Sequence, residues 1–268
     1  MRLHAGHPGG YDPLREGVFV SPDEGASWRQ LYSGKVYALA VSPWYEQDQT
    51  LFISPGGYKA NGGIHRSTDG GATWQESNTG MGYGGMYQVR EIAFSSGYAQ
   101  DHTIYVNAEL ALWRSTNAGE DWERVTVSWG EEAGRYGTVW DFVLSPRYPE
   151  DYTLWIHGGQ YGFSASRDAG ATWQPLSQPI IPLVALDDCM GTNCTPTIMG
   201  RYHNNQSFLK SYDYGQTWQC LEMPYTPPAP PPAEIPEPAT LLLLASGLAA
   251  LAGYGVRRRA QPGWFRHE

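Results

Sequence analysis

Apolar residues before Pro224 fall in short runs that are separated by polar, glycine-rich segments. The units Val36–Ser54 and Val139–His157 superpose without a gap. Each has an apolar run that ends at Ser-Pro or its equivalent, a polar loop with Tyr and Asp, and a second apolar run that starts at Thr-Leu. Alternation within a run such as Ala38–Val41 is blurred, which is typical of strands buried on both faces. The pattern predicts short β-strands joined by turns.

A second pattern divides the chain into repeats. The stretch SPDEGASW at Ser21–Trp28 recurs with spacings of 45 to 51 residues. The other copies are STDGGATW (Ser67–Trp74), STNAGEDW (Ser115–Trp122), SRDAGATW (Ser166–Trp173) and SYDYGQTW (Ser211–Trp218). A period of this length is typical of a β-propeller in which each repeat is one four-stranded blade. We name the strands of a blade A to D from the channel outward, which places the repeated stretch between strands C and D.

The pattern S-x-D-x-G-x-T/S-W resembles the Asp-box (BNR) repeat of sialidases, sortilin-like ectodomains and xyloglucan-degrading propellers. The resemblance implies an all-β propeller with at least five repeats. In each box the Asp or Asn is placed to accept backbone N–H bonds within its own turn, and the Trp N–H is expected to find a local acceptor. We therefore interpret the box positions as scaffold and not as catalytic or calcium-binding groups. They are Asp23, Asp69, Asn117, Asp168 and Asp213.

The first repeat is incomplete. Met1–Ser21 aligns with Leu51–Ser67, so the sequence opens inside strand B of its first blade. Three strands plus four complete blades predict nineteen strands. The first 20 residues contain no apolar run of the secretory type, so we expect either an N-terminally truncated chain or a late start codon. Residues 1–223 form the predicted propeller domain.

The composition changes at Pro224. Residues 224–238 are proline-rich and predict a stiff polyproline-II linker. Ala239–Val256 is uncharged and long enough to cross a bilayer as a helix, and Arg257, Arg258 and Arg259 follow, which places the C-terminus in the cytoplasm and the propeller outside.

Residues 239–259 then form a predicted transmembrane helix with its basic cluster, and residues 260–268 a cytoplasmic tail. The order Pro236-Glu237-Pro238, apolar helix and basic cluster resembles the PEP-CTERM sorting signal of bacterial exported proteins. The resemblance implies recognition and cleavage by an exosortase-type enzyme, with release or attachment at the cell surface. An ordinary C-terminal membrane anchor is the other interpretation.

Charge and cysteine content limit the partners. The formal net charge is −9, and an acidic surface repels a phosphate backbone, so no nucleic-acid partner is expected. The spacing of Cys189 and Cys194 permits a small loop disulfide that would leave Cys220 over, and three reduced cysteines are the other interpretation. No cysteine–histidine spacing predicts a metal site, and no cofactor is expected.

A binding site is expected where the repeats diverge. The D–A and B–C loops open on one face, and the two D–A loops Asn78–Gln88 and Ser128–Thr138 are long and aromatic. On strand A, the aligned positions at that face hold Ala38, Glu91, Asp141 and Leu183. The candidate ligand-binding residues are Tyr58, Tyr83, Tyr87, Arg90, Trp129, Arg135, Tyr136, Trp140 and Tyr161.

Two functions from different classes remain open. The preferred hypothesis is an exported, surface-displayed binding module for a glycan or an envelope or matrix protein, because aromatic faces stack on sugar rings. The alternative is a sialidase-like or xyloglucanase-like glycoside hydrolase that uses Glu91 and Asp141 as its carboxylate pair. No motif here places the three arginines that sialidases need. The photosystem II assembly factor, a similar propeller, acts by binding alone. A purely structural interaction module is a third possibility.

Overall fold

The structure is a computed structural model that describes residues 16–56, 62–82, 89–127, 129, 138–158, 162–176, 180–187, 195–202 and 208–221, with the backbone alone for residues 2–6 and 202. Met1–Leu221 forms one compact unit. Its described residues are mostly β-strand, arranged in five antiparallel sheets, each of which is one blade. The all-β prediction and the division into four-stranded blades are confirmed at this level.

Every sheet has its strands hydrogen-bonded in chain order. Blade 1 has three described strands, β1 (Arg2–Gly6), β2 (Gly17–Ser21) and β3 (Arg29–Ser33). Blade 2 consists of β4 (Val36–Val41), β5 (Leu51–Pro55), β6 (His65–Ser67) and β7 (Gln75–Glu76). Blade 3 consists of β8 (Val89–Phe94), β9 (Ile104–Ala108), β10 (Ala111–Ser115) and β11 (Glu123–Arg124). Blade 4 consists of β12 (Asp141–Leu144), β13 (Leu154–His157), β14 (Phe163–Ser166) and β15 (Gln174–Leu176). Blade 5 consists of β16 (Ile180–Leu186), β17 (Thr197–Tyr202), β18 (Phe208–Ser211) and β19 (Gln219–Cys220).

The loop between strands A and B contains a one-turn helix that the sequence did not predict. These helices are α1 (Tyr45–Asp48) in blade 2 and α2 (Tyr98–Asp101) in blade 3. The Asp48 carboxylate accepts hydrogen bonds from the Ser42 hydroxyl at 2.6 Å and the Thr50 N–H at 2.9 Å. Asp101 and Asp151 repeat both bonds in their own blades. The repeated aspartate therefore closes the loop and holds strands A and B at a fixed spacing.

The core lies between neighbouring blades. In blades 2, 3 and 4, strand B points one large aromatic side chain at the following blade, and these side chains, Phe52, Tyr105 and Trp155, are each 0% exposed. The Tyr105 ring lies 5.8 Å from the ring of Tyr148 in blade 4. Burying a side chain of this size contributes about 1.5–3 kcal/mol. The blades are thus stabilised mainly by packing against each other.

The box tryptophans also join the blades. The indole N–H groups of Trp74, Trp122 and Trp173 donate to backbone carbonyls of the preceding blade at 3.2, 2.8 and 3.0 Å. Only Trp28 and Trp218 donate to a carbonyl of their own turn. The expectation of a local acceptor is therefore wrong for the three inner copies. The sequence of one box cannot reveal these carbonyl acceptors, because they lie 43 to 47 residues away in the chain.

The box glycine permits this close approach of two blades. Gly119 has a φ of 86°, which side-chain-bearing residues rarely adopt. A Cβ atom at Gly119 would lie 2.7 Å from the Phe52 ring of the preceding blade. The glycine is thus required by the backbone conformation and by the packing between blades.

No described residue belongs to a helix long and apolar enough to cross a membrane. The predicted linker, transmembrane helix and tail lie outside the described residues, as do Cys189 and Cys194. Cys220 is exposed and free.

Candidate functional site

The five repeated S-x-D/N-x-G stretches, the boxes, form a uniform set of turns between strands C and D of the blades. In the second copy, Asp69 Oδ1 accepts the Ser67 hydroxyl at 2.8 Å and the Thr73 N–H at 2.9 Å, and Oδ2 accepts the Thr73 hydroxyl at 2.7 Å. These bonds lower the pKa of Asp69 to about 2, and the bond from the Thr73 hydroxyl has the largest effect. The same three bonds are made by Asp23, Asp168 and Asp213. Both carboxylate oxygens are therefore engaged within the turn.

The third box keeps the turn with exchanged groups. Asn117 Oδ1 accepts the Ser115 hydroxyl at 2.9 Å and the Asp121 N–H at 3.0 Å. Asn117 Nδ2 then donates to the Asp121 carboxylate at 3.1 Å, where the other boxes have a hydroxyl that donates to an aspartate. The two changes, Asp to Asn and Thr to Asp, compensate each other because donor and acceptor are reversed together.

The innermost strands of blades 2 to 5 face one another around a central channel. Strands β4, β8, β12 and β16 line a cavity of about 500 Å³. Its lining is mostly apolar with a few serines, and Glu91 is the one ionisable residue among the described residues that line it. Glu91 lies at the start of strand A in blade 3, at the end of the channel where the D–A and B–C loops open.

Residues of blades 3 and 4 meet at this mouth. The Arg90 guanidinium lies 5.8 Å from the centre of the Trp140 ring, within the range of a cation–π interaction. Both side chains are exposed, Trp140 to 46%. Arg90 and Trp140 occupy equivalent positions in the two repeats, and blade 2 has Tyr37 there. A positive group and an aromatic face are thus presented together to solvent.

The carboxyl group of Glu91 has a pKa well above its ordinary value. Burial raises the pKa of Glu91 to about 7, and the nearby Asp141 carboxylate also raises it, while a hydrogen bond from the Phe142 N–H opposes both. Glu91 therefore exchanges its proton near neutral pH. The neighbouring Arg90 guanidinium lies over the Trp140 ring.

Two buried polar residues lie beside the carboxylates, and the sequence analysis missed both. Asp141 and His157 are cross-strand partners, with His157 Nδ1 at 3.8 Å from Asp141 Oδ2. Glu91 and Asn107 are partners in the same way, so their side chains share one face of the sheet. Asn107 Nδ2 donates to the carbonyls of Val139 and Trp140 at 3.1 and 2.8 Å, which fixes the blade 3–blade 4 junction directly below the mouth.

The signal for these residues was present in the repeat alignment. Asn107 and His157 occupy the position that holds Ser54 in blade 2, where Ala38 is the partner on strand A. All three strand-B residues are buried. Opposite these polar residues, strand A carries a carboxylate in blades 3 and 4 but alanine in blade 2. The repeats therefore diverge at this position on strand A and on strand B.

The remaining candidates divide into two groups. Trp129 is buried at 8% exposure and packs against the backbone of Gly158, where a Cβ atom would lie 2.6 Å from its ring. Its ring belongs to the core between blades 3 and 4, and we leave it out of the ligand surface. Six candidates lie outside the described residues: Tyr58, Tyr83, Tyr87, Arg135, Tyr136 and Tyr161. Among the described residues, no group of three or more His, Cys, Asp or Glu could hold a metal ion.

One family model matches the chain. Residues 234–259 match the PEP-CTERM protein-sorting motif. The motif implies processing by an exosortase-type system and is consistent with an exported protein at the cell surface or outside the cell. A search of curated protein sequences finds no match to this chain.

Solved structures with a similar fold include GH74 enzymes and a chain of the nidogen/laminin complex. A GH74 enzyme from Niastella koreensis is 20% identical with a TM-score of 0.51, and the alignment covers 76% of this chain and 28% of that chain. The GH74 xyloglucanase from Xanthomonas campestris is 18% identical with a TM-score of 0.50, covering 77% and 34%. A chain of the nidogen/laminin complex is 9% identical with a TM-score of 0.50, covering 76% and 70%. This chain thus spans about a third of the GH74 enzymes it matches, and the similarity shows the fold alone.

Proposed function

We propose that the chain is an exported, surface-displayed propeller that binds a glycan at the channel mouth of blades 3 and 4. The observation that supports this most is the convergence of Arg90, Glu91, Trp140 and Asp141 from two blades at one end of the channel. All four lie at repeat positions where blade 2 carries Tyr37 and Ala38. The site is therefore built from the positions at which the scaffold tolerates change.

The chemistry of these residues suits a sugar. The exposed Trp140 ring offers an apolar face on which a pyranose ring can stack, as aromatic side chains do in glycan-binding sites. Arg90 supplies hydrogen-bond donors, and the two carboxyl groups supply acceptors for hydroxyls. The sorting motif would bring this surface to the outside of the cell, where polysaccharide is available.

The test is binding of the purified full chain in detergent to a panel of immobilised polysaccharides and to a glycan array. We expect Trp140→Ala to weaken binding to the polysaccharide at least about tenfold. A tenfold change in affinity corresponds to about 1.4 kcal/mol, and truncation of an aromatic anchor residue in a binding site costs this much or more. The matched control is Trp44→Ala, because Trp44 is 47% exposed and lies in the A–B loop on the opposite face. Equal loss in both variants, or binding of an envelope protein with no binding of polysaccharide, would refute the proposal.

One observation favours the second candidate, a glycoside hydrolase. A carboxyl group with its pKa raised to about 7 beside a second carboxylate is the arrangement with which glycosidases assign a general acid and its partner. In that role Glu91 would protonate the glycosidic oxygen, and Asp141 would act as base or nucleophile. The test is whether the wild-type chain releases reducing ends from any polysaccharide of the panel. If it does, and if Glu91→Gln and Asp141→Asn each abolish the release, the function is hydrolysis and not binding alone.

A further inference from the structure

Three neighbouring blades present one exposed side chain each at the same backbone position of the channel mouth. In blades 2 and 3 the register of strands A and B shifts by one residue at a β-bulge. The extra residue is Tyr37 in blade 2 and Arg90 in blade 3. Trp140 has the equivalent position in blade 4, where its N–H donates to the His157 carbonyl at 2.7 Å. A bulge directs a side chain out of the regular alternation of a strand, and all three side chains are exposed.

The exposure belongs to this position and not to the edge of the described structure. Tyr37 is 43% exposed and Trp140 is 46% exposed. Blade 4 packs against blade 3 on one side and against blade 5 on the other. Trp140 is therefore exposed although its blade has a described neighbour on each side, and the same bulge position explains the exposure of Tyr37.

A cation lies beside each aromatic ring of the mouth. Lys35 Nζ is 4.6 Å from the centre of the Tyr37 ring, as the Arg90 guanidinium is 5.8 Å from that of Trp140. Lys35 is held in place, because the Gly56 N–H donates to its carbonyl at 2.6 Å and its side chain packs closely against Gly56. Neither cation forms an ion pair with another described residue. The described residues therefore leave both positive charges to be neutralised by a ligand.

The carboxyl groups of the mouth do not cancel these two charges. Burial raises the pKa of Glu91 to about 7, so its carboxyl group is mostly uncharged below neutral pH. Asp141 shares the sheet face of His157 and Trp155, which is the face of blade 4 that packs against blade 5. The chain has a net charge of −9, and the exposed cations at the mouth are a local exception to it.

The two aromatic rings belong to separate places along the mouth. Tyr37 and Trp140 lie on blades 2 and 4, with blade 3 between them. Packed β-sheets are about 10 Å apart, so residues two blades apart are too distant to contact the same sugar residue. A glycan that uses both rings must therefore be a chain of several residues.

A uronic acid fits a cation beside an aromatic ring. It has an apolar C–H face that can stack on the aromatic side chain, and its carboxylate accepts charge-assisted hydrogen bonds from Lys or Arg. We infer that the ligand is an acidic polysaccharide whose uronic acid residues occupy two subsites, one formed by Lys35 and Tyr37 and the other by Arg90 and Trp140. This inference rests on the proposed function, because it specifies the class of glycan that the mouth binds.

The experiment compares acidic polymers with their own neutral forms. Binding of the full chain in detergent is measured to polygalacturonate, alginate and hyaluronate, and to each polymer after reduction of its carboxyl groups. We expect at least one acidic polymer to bind, and its reduced form to bind at least about tenfold more weakly, because the charge-assisted bonds are lost. Dextran sulfate, an anionic polymer without uronic acid, should bind more weakly than that acidic polymer.

Charge-neutral variants locate the contact. Arg90→Gln should weaken binding about tenfold, because Arg can make two charge-assisted bonds to one carboxylate, and Lys35→Gln about threefold. Arg90→Lys should keep part of the affinity. The matched control is Lys210→Gln, because Lys210 Nζ lies 5.1 Å from the Tyr212 ring and forms a pair of the same kind away from the mouth, at the box of blade 5. This control should leave binding unchanged.

A length series of uronate oligomers tests whether there are two subsites. Affinity should rise steeply at the length that reaches both cation–aromatic pairs, because the second contact is then made within one complex. Tyr37→Ala should remove this rise and leave the affinity for short oligomers nearly unchanged. Thermal unfolding of each variant checks that its blade remains folded.

The outcomes separate this inference from the proposed function. If the chain binds the reduced polymers as tightly as the acidic ones, and Trp140→Ala abolishes both, glycan binding stands and the assignment to uronic acids is overturned. If dextran sulfate binds equally well, or Lys210→Gln weakens binding as much as Arg90→Gln, the attraction is non-specific and the assignment is also overturned. If no polymer binds in either form, the proposed function fails, and this inference fails with it.

Discussion

The rim of the propeller and the mouth of its channel are built from the same repeats but differ in how strictly they repeat. At the rim, five boxes make the same turn, and the third restores it with Asn117 and Asp121 when its residues change. At the mouth, equivalent positions hold Ala38, Glu91 and Asp141. The box residues are held constant by the hydrogen bonds of the turn. The mouth residues make no such bonds and can differ from blade to blade.

This difference teaches where chemistry can enter the fold. A box residue that changes must still satisfy the turn and the neighbouring blade, because the Trp indole and the box glycine both contact the blade before it. A mouth residue lies at the beginning of strand A and takes no part in the hydrogen bonds of the turn. If this is so, substitutions at the rim should change mainly the stability of the protein, and substitutions at the mouth should change mainly its ligand binding.

The largest effect is expected at the rim. Trp122→Ala removes a side chain that is 3% exposed and its hydrogen bond to the Ser77 carbonyl. We expect a loss of about 3–5 kcal/mol in the free energy of unfolding, as for other buried tryptophans. Urea unfolding of the full chain measures it, with the exposed Trp44→Ala as control. A loss below about 1 kcal/mol would show that the box Trp is not part of the stabilising junction.

The next effect is a pH dependence that arises at the mouth. The pKa of Glu91 is raised to about 7, so the folded protein keeps a proton that the unfolded chain releases near pH 4.5. The contribution of Glu91 to stability is therefore full below about pH 4.5 and is lost as the pH rises through about 7. At pH 8 we expect Glu91→Gln to be more stable than the wild type by up to about 3 kcal/mol, and at pH 4 to be equal.

Two variants sharpen the pH prediction. Asp141→Asn removes the negative charge that helps to raise the pKa of Glu91, so the loss of stability should shift to lower pH. Glu46→Gln, an exposed change on the opposite face, should leave the pH profile unchanged. Identical profiles for wild type and Glu91→Gln between pH 4 and pH 8 would show that Glu91 is not buried as described.

A smaller effect is expected from the box hydroxyl. Ser115 is buried, accepts the Gly119 N–H at 2.8 Å and donates to Asn117 at 2.9 Å. Ser115→Ala leaves that N–H without its partner and should cost about 1–3 kcal/mol, measured as a change in the unfolding midpoint. Thr116→Ala next to it, on an exposed side chain, should change stability by no more than about 0.5 kcal/mol. Equal effects would mean that the hydroxyl network does not stabilise the turn.

The repeat alignment predicted the blades because their regularity is local. The boxes recur at a regular spacing, the Ser-Pro and Thr-Leu signals recur in blades 2 and 4 with Ser-Ser and Thr-Ile in blade 3, and the aspartate–hydroxyl bonds of the turn span only a few residues. The acceptors of Trp74, Trp122 and Trp173 were not predictable in this way, because they belong to another blade. The one-turn helix at Tyr45–Asp48 was missed for a different reason, since four residues give no helical periodicity.

The mouth was predicted only in part. Divergence between repeats identified Arg90, Glu91, Trp140 and Asp141, but it could not show that Arg90 lies over Trp140 or that Glu91 is partly buried. Both depend on how two blades are set against each other. Trp129 was chosen as an aromatic residue in a long loop, and its burial against Gly158 depends on the B–C turn of the next blade. The sequence alone could therefore name residues at the mouth, but not how two blades arrange them.

The most direct test of the account gives the strand-A positions at the mouth of blades 3 and 4 the residues of blade 2. The variant combines Arg90→Tyr, Glu91→Ala, Trp140→Tyr and Asp141→Ala, and its stability and polysaccharide binding are measured on the same preparation. We expect it to fold, to be at least as stable as the wild type at pH 8, and to lose binding. A variant that unfolds, or one that folds and still binds, would contradict the separation of a stabilising rim from an active mouth.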